Sequence, residues 1–287
     1  KAFLDAVLKA RPQVLEPIVD LTVAVPEQHM GDITGQLAGK RARIHGTDAG
    51  RGGEIVLVSE ALHEQRLAQI AYQVAERVNH AHLILVSGPS SAGKTTFAKR
   101  LMVQLLALGI SPFPLELDNY FLPRHETPLD EAGKPDFEAL AALDLPLLAD
   151  HLQKMIRGEE TQLPRYNFKT GLREEGEIIR LTRGQPIILE GIHGLDPLLI
   201  PENLRGEAFR IYISALTQLN LDRHNRISTT DTRLLRRIVR DARERGYTAK
   251  QTISRWESVR YGEVKHIFPF QENADVMFNS ALVYEMR

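Results

Sequence analysis

Gly88-Pro89-Ser90-Ser91-Ala92-Gly93-Lys94-Thr95-Thr96 follows the apolar run Leu83-Ile84-Leu85-Val86 and fits the pattern G-x-x-x-x-G-K-[ST]. Its two glycines let the backbone curl through Ser90, Ser91 and Ala92 so that N–H groups point inward at phosphate oxygens. Lys94 can reach the β- and γ-phosphates, and the Thr95 hydroxyl can hold Mg²⁺. A helix expected over Thr95–Leu108, with Thr96 in its first turn, would aim the positive end of its dipole at the same anion. A chance glycine turn would need neither the strand before it nor the amphipathic helix after it, and both are readable. The chemistry indicated is binding of a nucleoside triphosphate.

A phosphate loop does not separate a kinase from a GTPase or a motor, so the acidic residues around it decide. Pro186-Ile187-Ile188-Leu189-Glu190-Gly191 reads as a buried strand ending in a carboxylate, and Glu190 could orient Mg²⁺ beside Thr95. Asp118 ends the expected strand Pro114–Leu117, where open α/β sheets bind ligands. A carboxylate there could accept a hydroxyl proton as the hydroxyl attacks the γ-phosphate, although a turn aspartate is the plainer alternative. In Thr232–Gly246, Arg233, Arg236, Arg237, Arg240 and Arg243 recur at helical spacing, opposite a stripe of Leu235, Ile238, Val239 and Ala242. Such a face is often only solvated, yet these arginines could also clamp phosphates as a closing lid does. Nothing aromatic interleaves them, which argues against nucleic acid. The GTPase pattern D-x-x-G occurs at Asp32–Gly35, before the loop and in the wrong order, and no N-K-x-D follows.

The elements that must position these residues alternate. Helical patterns at Leu140–Arg157, Asp231–Arg245 and Ala249–Val259 are interspersed with strand patterns at Gln185–Leu189 and Phe209–Ile213, which predicts α/β architecture with a doubly wound parallel sheet and a helical lid. The first sixty residues differ. A short helix at Ala2–Ala10, a strand at Ile18–Val25, a helix at His29–Leu37 and strands at Ala42–His45 and Glu54–Ser59 make an incomplete α+β module. We therefore expect a module over 1–59, a connecting helix over 60–80 and a P-loop domain over 81–287. A helix-like stretch over Ser280–Arg287 closes the chain, which reads as a piece of something longer.

With 287 residues, a net charge of −1 and 25% charged residues, the composition gives no overall attraction to nucleic acid or membrane. The absence of cysteine excludes disulfides and thiolate metal sites, and the ten histidines form no ligand pattern. No apolar run approaches the ~18 residues of a membrane span, and no signal peptide is visible, so the expected location is cytoplasmic.

The segments SGPSSAGKTTFAKRL, LDNYF, HETPLDEAGKPDFEAL, LPRYNFKTG, ILEGIHGL and ISTTDTRLLRRIVRDARERG occur in an order that resembles the uridine kinase/phosphoribulokinase family from about Leu62 onward. The resemblance implies ATP- and Mg²⁺-dependent phosphorylation of a nucleoside 5′-hydroxyl. It implies that Lys94 and Arg236 act in catalysis, that Asp118 is the general base, and that Glu190 joins Thr95 as a metal ligand. Gly88, Ser90–Thr96, Arg237 and Arg240 would bind the nucleotide. Tyr120, Glu138, Tyr166, Phe168 and Arg233 would face the acceptor. Two positions depart from the family: Gly171 stands where a base-reading histidine is expected, and Glu138 where an aspartate meets the ribose. His193 is either a replacement contact or a satisfied loop histidine.

The chain over about residues 1–58, carried by the segment from Ala2 to Gly46 and stopping near Val58, resembles the C-terminal ferredoxin-like domain of elongation factor G, which implies a structural or docking role; ribosome contact is a fold-level analogy. A homo-oligomer is compatible with the sequence. Two other functions stay open: a kinase of another alcohol, such as a phosphorylated sugar or a pantothenate-like compound, and a translation-associated protein that only senses nucleotide.

Overall fold

The computed structural model describes residues 51–77, 81–130, 133, 135–217 and 227–285. The expected elements between residues 2 and 45 lie outside these. Helix α1 (Arg51–Arg77) precedes β1 (Leu83–Ser87), α2 (Lys94–Ala107) and β2 (Phe113–Glu116). Helix α3 (Leu145–Arg157) leads into a hairpin of β3 (Thr161–Asn167) and β4 (Leu172–Ile179), then β5 (Ile187–Glu190) and β6 (Ala208–Ser214). Helices α4 (Thr229–Arg240) and α5 (Ala249–His266) and strand β7 (Val276–Asn279) complete the order.

Five parallel strands form the main sheet in the order β2-β5-β1-β6-β7. All of β1 is buried, and its alternation divides the core. Leu83 and Leu85 face one cluster with Leu148, Leu152 and Met155 of α3; Ile84 and Val86 face the other with Leu67 and Ile70 of α1 and Phe97 and Leu101 of α2. A continuous apolar strand is what covering both faces with helices demands. Because β5 and β6 flank β1 on opposite sides, the chain diverges at the carboxyl end of β1, where ligands enter such sheets.

Several local expectations are corrected. Glu54–Ser59 belongs to α1 and not to a strand, because Leu67, Ile70 and Val74 bury one stripe and carry the helix N-terminally; the expected division at residue 59 falls inside that helix. Ser280–Glu285 is not helical, being tied by the Ser280 N–H to the Ser214 carbonyl (2.8 Å) and by turns beyond. Residues Leu140–Ala142 form a separate 3₁₀ turn, with Asp144 capping α3 through the Leu147 N–H at 3.1 Å. The β3–β4 hairpin and β7 were not anticipated. The helix over 231–245 is regular only to Arg240 and continues as a π turn, Asp241–Arg245, ended by Gly246.

The arginine helix is also inverted. Thr232, Arg233 and Arg237 are buried, whereas Leu235 and Val239 of the supposed packing stripe are 46% and 65% exposed. Arg233 is drawn inward by Glu263 of α5 and Arg237 by Asp241 one turn further along the same helix, a force the apolar pattern alone does not register.

Candidate active site

The phosphate loop joins β1 to α2 as the spacing requires. A Cβ at Gly88 would lie 2.2 Å from the Ile213 carbonyl oxygen of β6, so only glycine lets the loop leave the sheet there. Ser91 adopts φ 58°, and Gly93 caps α2 in the left-handed region. The Lys94 ammonium reaches back to the Pro89 carbonyl at 3.3 Å. Burial lowers its pKa, opposed by the charges of Glu190 and Asp118, with Arg240 and Glu138 also within its field. Lys94 thus marks where the expected groups converge.

Thr95 Oγ1 donates to Glu190 Oε2 at 2.9 Å. Glu190 ends β5 beside Val86 of β1 and Glu116 of β2, and burial raises its pKa against the pull of Lys94. Two adjacent hard oxygen donors fit a divalent cation such as Mg²⁺ that keeps waters and phosphate oxygens as its other ligands. No cluster of three or more His, Cys, Asp or Glu side chains suited to a metal occurs among the described residues. Asp118 sits half-buried in a 3₁₀ turn (Leu117–Tyr120) just past β2. Thr96 is exposed on the first turn of α2.

The four lid arginines divide their work. Arg233 is 2% exposed in a bidentate pair with the fully buried Glu263, and its Nη1 also donates to the Ser90 carbonyl at 3.3 Å. It is therefore committed to the protein and not presented to an acceptor, as the sequence reading had it. Arg236 grips Glu285 with both arms of its guanidinium and also bonds Ser280 and the Ala92 carbonyl, so it flanks the phosphate loop. Arg237 donates to Ser90 Oγ at 2.8 Å, and Arg240 pairs with Asp241 at 2.8 Å. Asp241 is buried and also faces Arg237 and Arg245, a hub that holds the base of the lid.

Of the residues expected to face the acceptor, Tyr166 and Phe168 pack edge-on with centroids 5.1 Å apart, and Phe121 joins them. The Tyr166 ring is buried, Phe168 is 49% exposed, and Asn119 fastens the hairpin to the Asp118 turn through the Tyr166 N–H at 3.2 Å. Tyr120 does not face a ligand. It is wholly buried with its hydroxyl on His151 at 3.1 Å, because the 3₁₀ turn rotates it into the core beside α3. Burial pushes the Glu138 carboxyl up to about 7, with Arg237 opposing. Glu138 packs on α5 at Gly262, where a Cβ would stand 2.5 Å from its own Cβ.

His193 is 1% exposed, and burial lowers its pKa to about 3, so it is neutral. The Ala139 carbonyl lies near but outside hydrogen-bond geometry, and neither ring nitrogen has a partner. Gly171, at φ 71°, seats Arg124: a Cβ there would stand 2.7 Å from Arg124 Nε. A cavity of about 780 Å³ beside Thr95 and Glu190 is walled by Glu116, Asn119, Arg165 and Glu175 and touches none of Asp118, Glu138 or Tyr166.

Sequence reasoning missed Glu263, Asp241, Ser280 and Glu285. Glu263 left one signal: it lies on the α5 stripe of Thr252, Trp256 and Val259, where a carboxylate is out of place unless paired.

Residues 83–285 match the Phosphoribulokinase / Uridine kinase family. The chain belongs to that family. Uridine kinases from Brevibacillus brevis and Halalkalibacterium halodurans are 32% and 31% identical, each across 68% of this chain and 83% and 84% of their own. The solved structure of YFH7 from Saccharomyces cerevisiae covers 76% of this chain and 99% of its own with a TM-score of 0.50 and 11% identity, a likeness of fold alone. Residues 13–62 match the Elongation factor G C-terminus. The kinase-family member is an ATP-dependent kinase of the P-loop type, and no described helix is long and apolar enough to cross a membrane.

Proposed function

We propose that this kinase transfers the γ-phosphoryl group of ATP to the 5′-hydroxyl of a nucleoside, with uridine the favoured acceptor. The observation that carries the reading is the convergence of Asp118, Glu190, Glu138 and Arg240 in the field of Lys94, next to the Tyr166–Phe168 aromatic pair. Asp118 takes the proton as the acceptor oxygen bonds to phosphorus, and ADP leaves with the electron pair of the broken P–O bond. Lys94 and Arg240 offset charge on the phosphoryl oxygens, and Arg236 and Arg237 hold the loop that positions them. Thr95 and Glu190 would hold Mg²⁺, which supplies charge neutralisation on the phosphates. Glu138 and His193 would meet the sugar, and the aromatic pair would pack on the base. The names of the relatives support uridine. We assign residues 1–59 a docking role separate from the chemistry.

One observation favours a second acceptor, a phosphorylated sugar. Arg124 donates to the Phe168 carbonyl at 3.0 Å and has no ion pair among the described residues, so its charge is available to an anion at the rim. Acceptor-dependent ADP release across uridine, cytidine, adenosine and ribulose 5-phosphate decides between them. Uridine dependence supports the first reading; turnover with ribulose 5-phosphate alone replaces it with the second.

A further inference from the structure

Ser90 of the phosphate loop is gripped three times by elements remote in sequence. Its N–H donates to Glu263 Oε1 at 3.2 Å, its carbonyl accepts from Arg233 Nη1 at 3.3 Å, and its hydroxyl accepts from Arg237 Nη1 at 2.8 Å. The first two grips are a single device, because Arg233 and Glu263 are themselves paired at 2% and 0% exposure. The Arg233 guanidinium lies 5.4 Å from the ring centre of Trp256, the chain's single tryptophan.

Stability is a weak reason for such a pair. Taking two charges from water costs several kcal/mol per ion, and apolar residues of like volume often replace a buried pair without loss. What apolar residues do not replace is the grip on Ser90: they cannot accept its N–H or donate to its carbonyl. We infer that Glu263 is a positioning residue of the donor site, which together with Arg233 sets the entry of the phosphate loop before nucleotide arrives. This inference rests on the ATP-kinase assignment. Arg233 then works through Ser90 and not on a ligand.

The test compares Glu263→Gln, Glu263→Met and the double variant Arg233→Met/Glu263→Met with the wild type, reading Tm, KM for ATP and KM for the acceptor. Glu263→Met leaves a buried unpaired guanidinium and lowers Tm. The double variant is expected to regain Tm while KM for ATP stays raised by about tenfold, the scale of a lost charge-assisted hydrogen bond. Acceptor KM is expected to change less than KM for ATP, since Glu263 bonds Ser90 and Arg233 and acts on Glu138 only through its charge. Recovery of wild-type KM for ATP along with Tm overturns the inference and leaves a merely structural pair.

Should the double variant not fold, hydrogen exchange decides on the wild type and Glu263→Gln, whose uncharged amide has one acceptor oxygen left for the Ser90 N–H and both Arg233 N–H donors that the carboxylate serves with two. The Ser90 amide is expected to be protected without nucleotide in the wild type and to exchange faster in Glu263→Gln. Equal exchange in the two overturns the inference. A wild type that releases no ADP in response to any acceptor instead sinks the kinase assignment itself, so the two failures are distinct.

Discussion

The expected donor half of the site is cross-braced by remote elements at Ser90, and the expected acceptor half has no comparable brace among the described residues. On the donor side, Thr95 is bonded to Glu190, Lys94 to Pro89, and Ser90 to three elements at once. On the acceptor side, His193 has two unpartnered ring nitrogens in the interior, Glu138 holds a proton to about pH 7, and Phe168 is half exposed. Buried polar groups are normally paired, yet unpartnered atoms occur in both halves: the two ring nitrogens of His193 in one, and Ser91 Oγ, Arg233 Nε and Arg237 Nε in the other. A loop that binds the same triphosphate in every turnover can be preset; a pocket that chooses among alcohols keeps its hydrogen-bonding capacity for the chosen one.

The sharpest break in this contrast is chemical. Lys94→Met or Asp118→Asn should lower kcat by roughly 10²–10⁴-fold, the usual worth of a charge-positioning or proton-accepting group, with Tm unchanged. Steady-state kinetics beside thermal melting checks both halves of that statement. Next in size is Gly262→Ala. Its Cβ displaces Glu138, and a misplacement on the ångström scale costs up to about 10²-fold, here in acceptor KM, while KM for ATP holds. A matching rise in KM for ATP would merge the two halves and break the comparison.

Gly171→Ala and Arg124→Ala should act alike, because the first evicts the side chain that the second removes. Both are expected to change the ratio of kcat/KM for an anionic acceptor over a neutral one by about tenfold, the value of a hydrogen bond to a charged group. The smallest effect is on pH. Glu138 ionises near pH 7, so acceptor KM should fall by about threefold as pH rises through that value, and the slope should vanish in Glu138→Gln. The stability trend runs the other way. A carboxyl whose pKa is raised on folding stabilises fully below its unfolded value of about 4.5 and loses that contribution as pH rises through about 7. Denaturant melts of wild type and Glu138→Gln across this window measure the difference.

The donor half was legible because its residues are contiguous: one nonapeptide and two strand ends specify it, and Lys94, Thr95, Glu190 and Asp118 stand where the pattern puts them. The sheet was legible for a related reason, since β1 and β5 are unbroken apolar runs that only burial on both faces explains. What stayed hidden depends on contacts between distant segments. Glu263 lies 173 residues from Ser90 and Glu285 lies 49 from Arg236, so no local spacing announces either bond. The lid was misread partly for the same reason, because Arg233 looks solvated until Glu263 is located, although the Asp241 that pairs with Arg237 lies only four residues on. The family resemblance put Tyr120 at the acceptor, but successive residues of a 3₁₀ turn point in different directions, and His151 claims it.

The most direct measurement is ADP release at saturating ATP with and without uridine, for the wild type and Asp118→Asn. The account predicts uridine-dependent release by the wild type and its near-complete loss in the variant. Release that is independent of uridine and equal in the two proteins would contradict it.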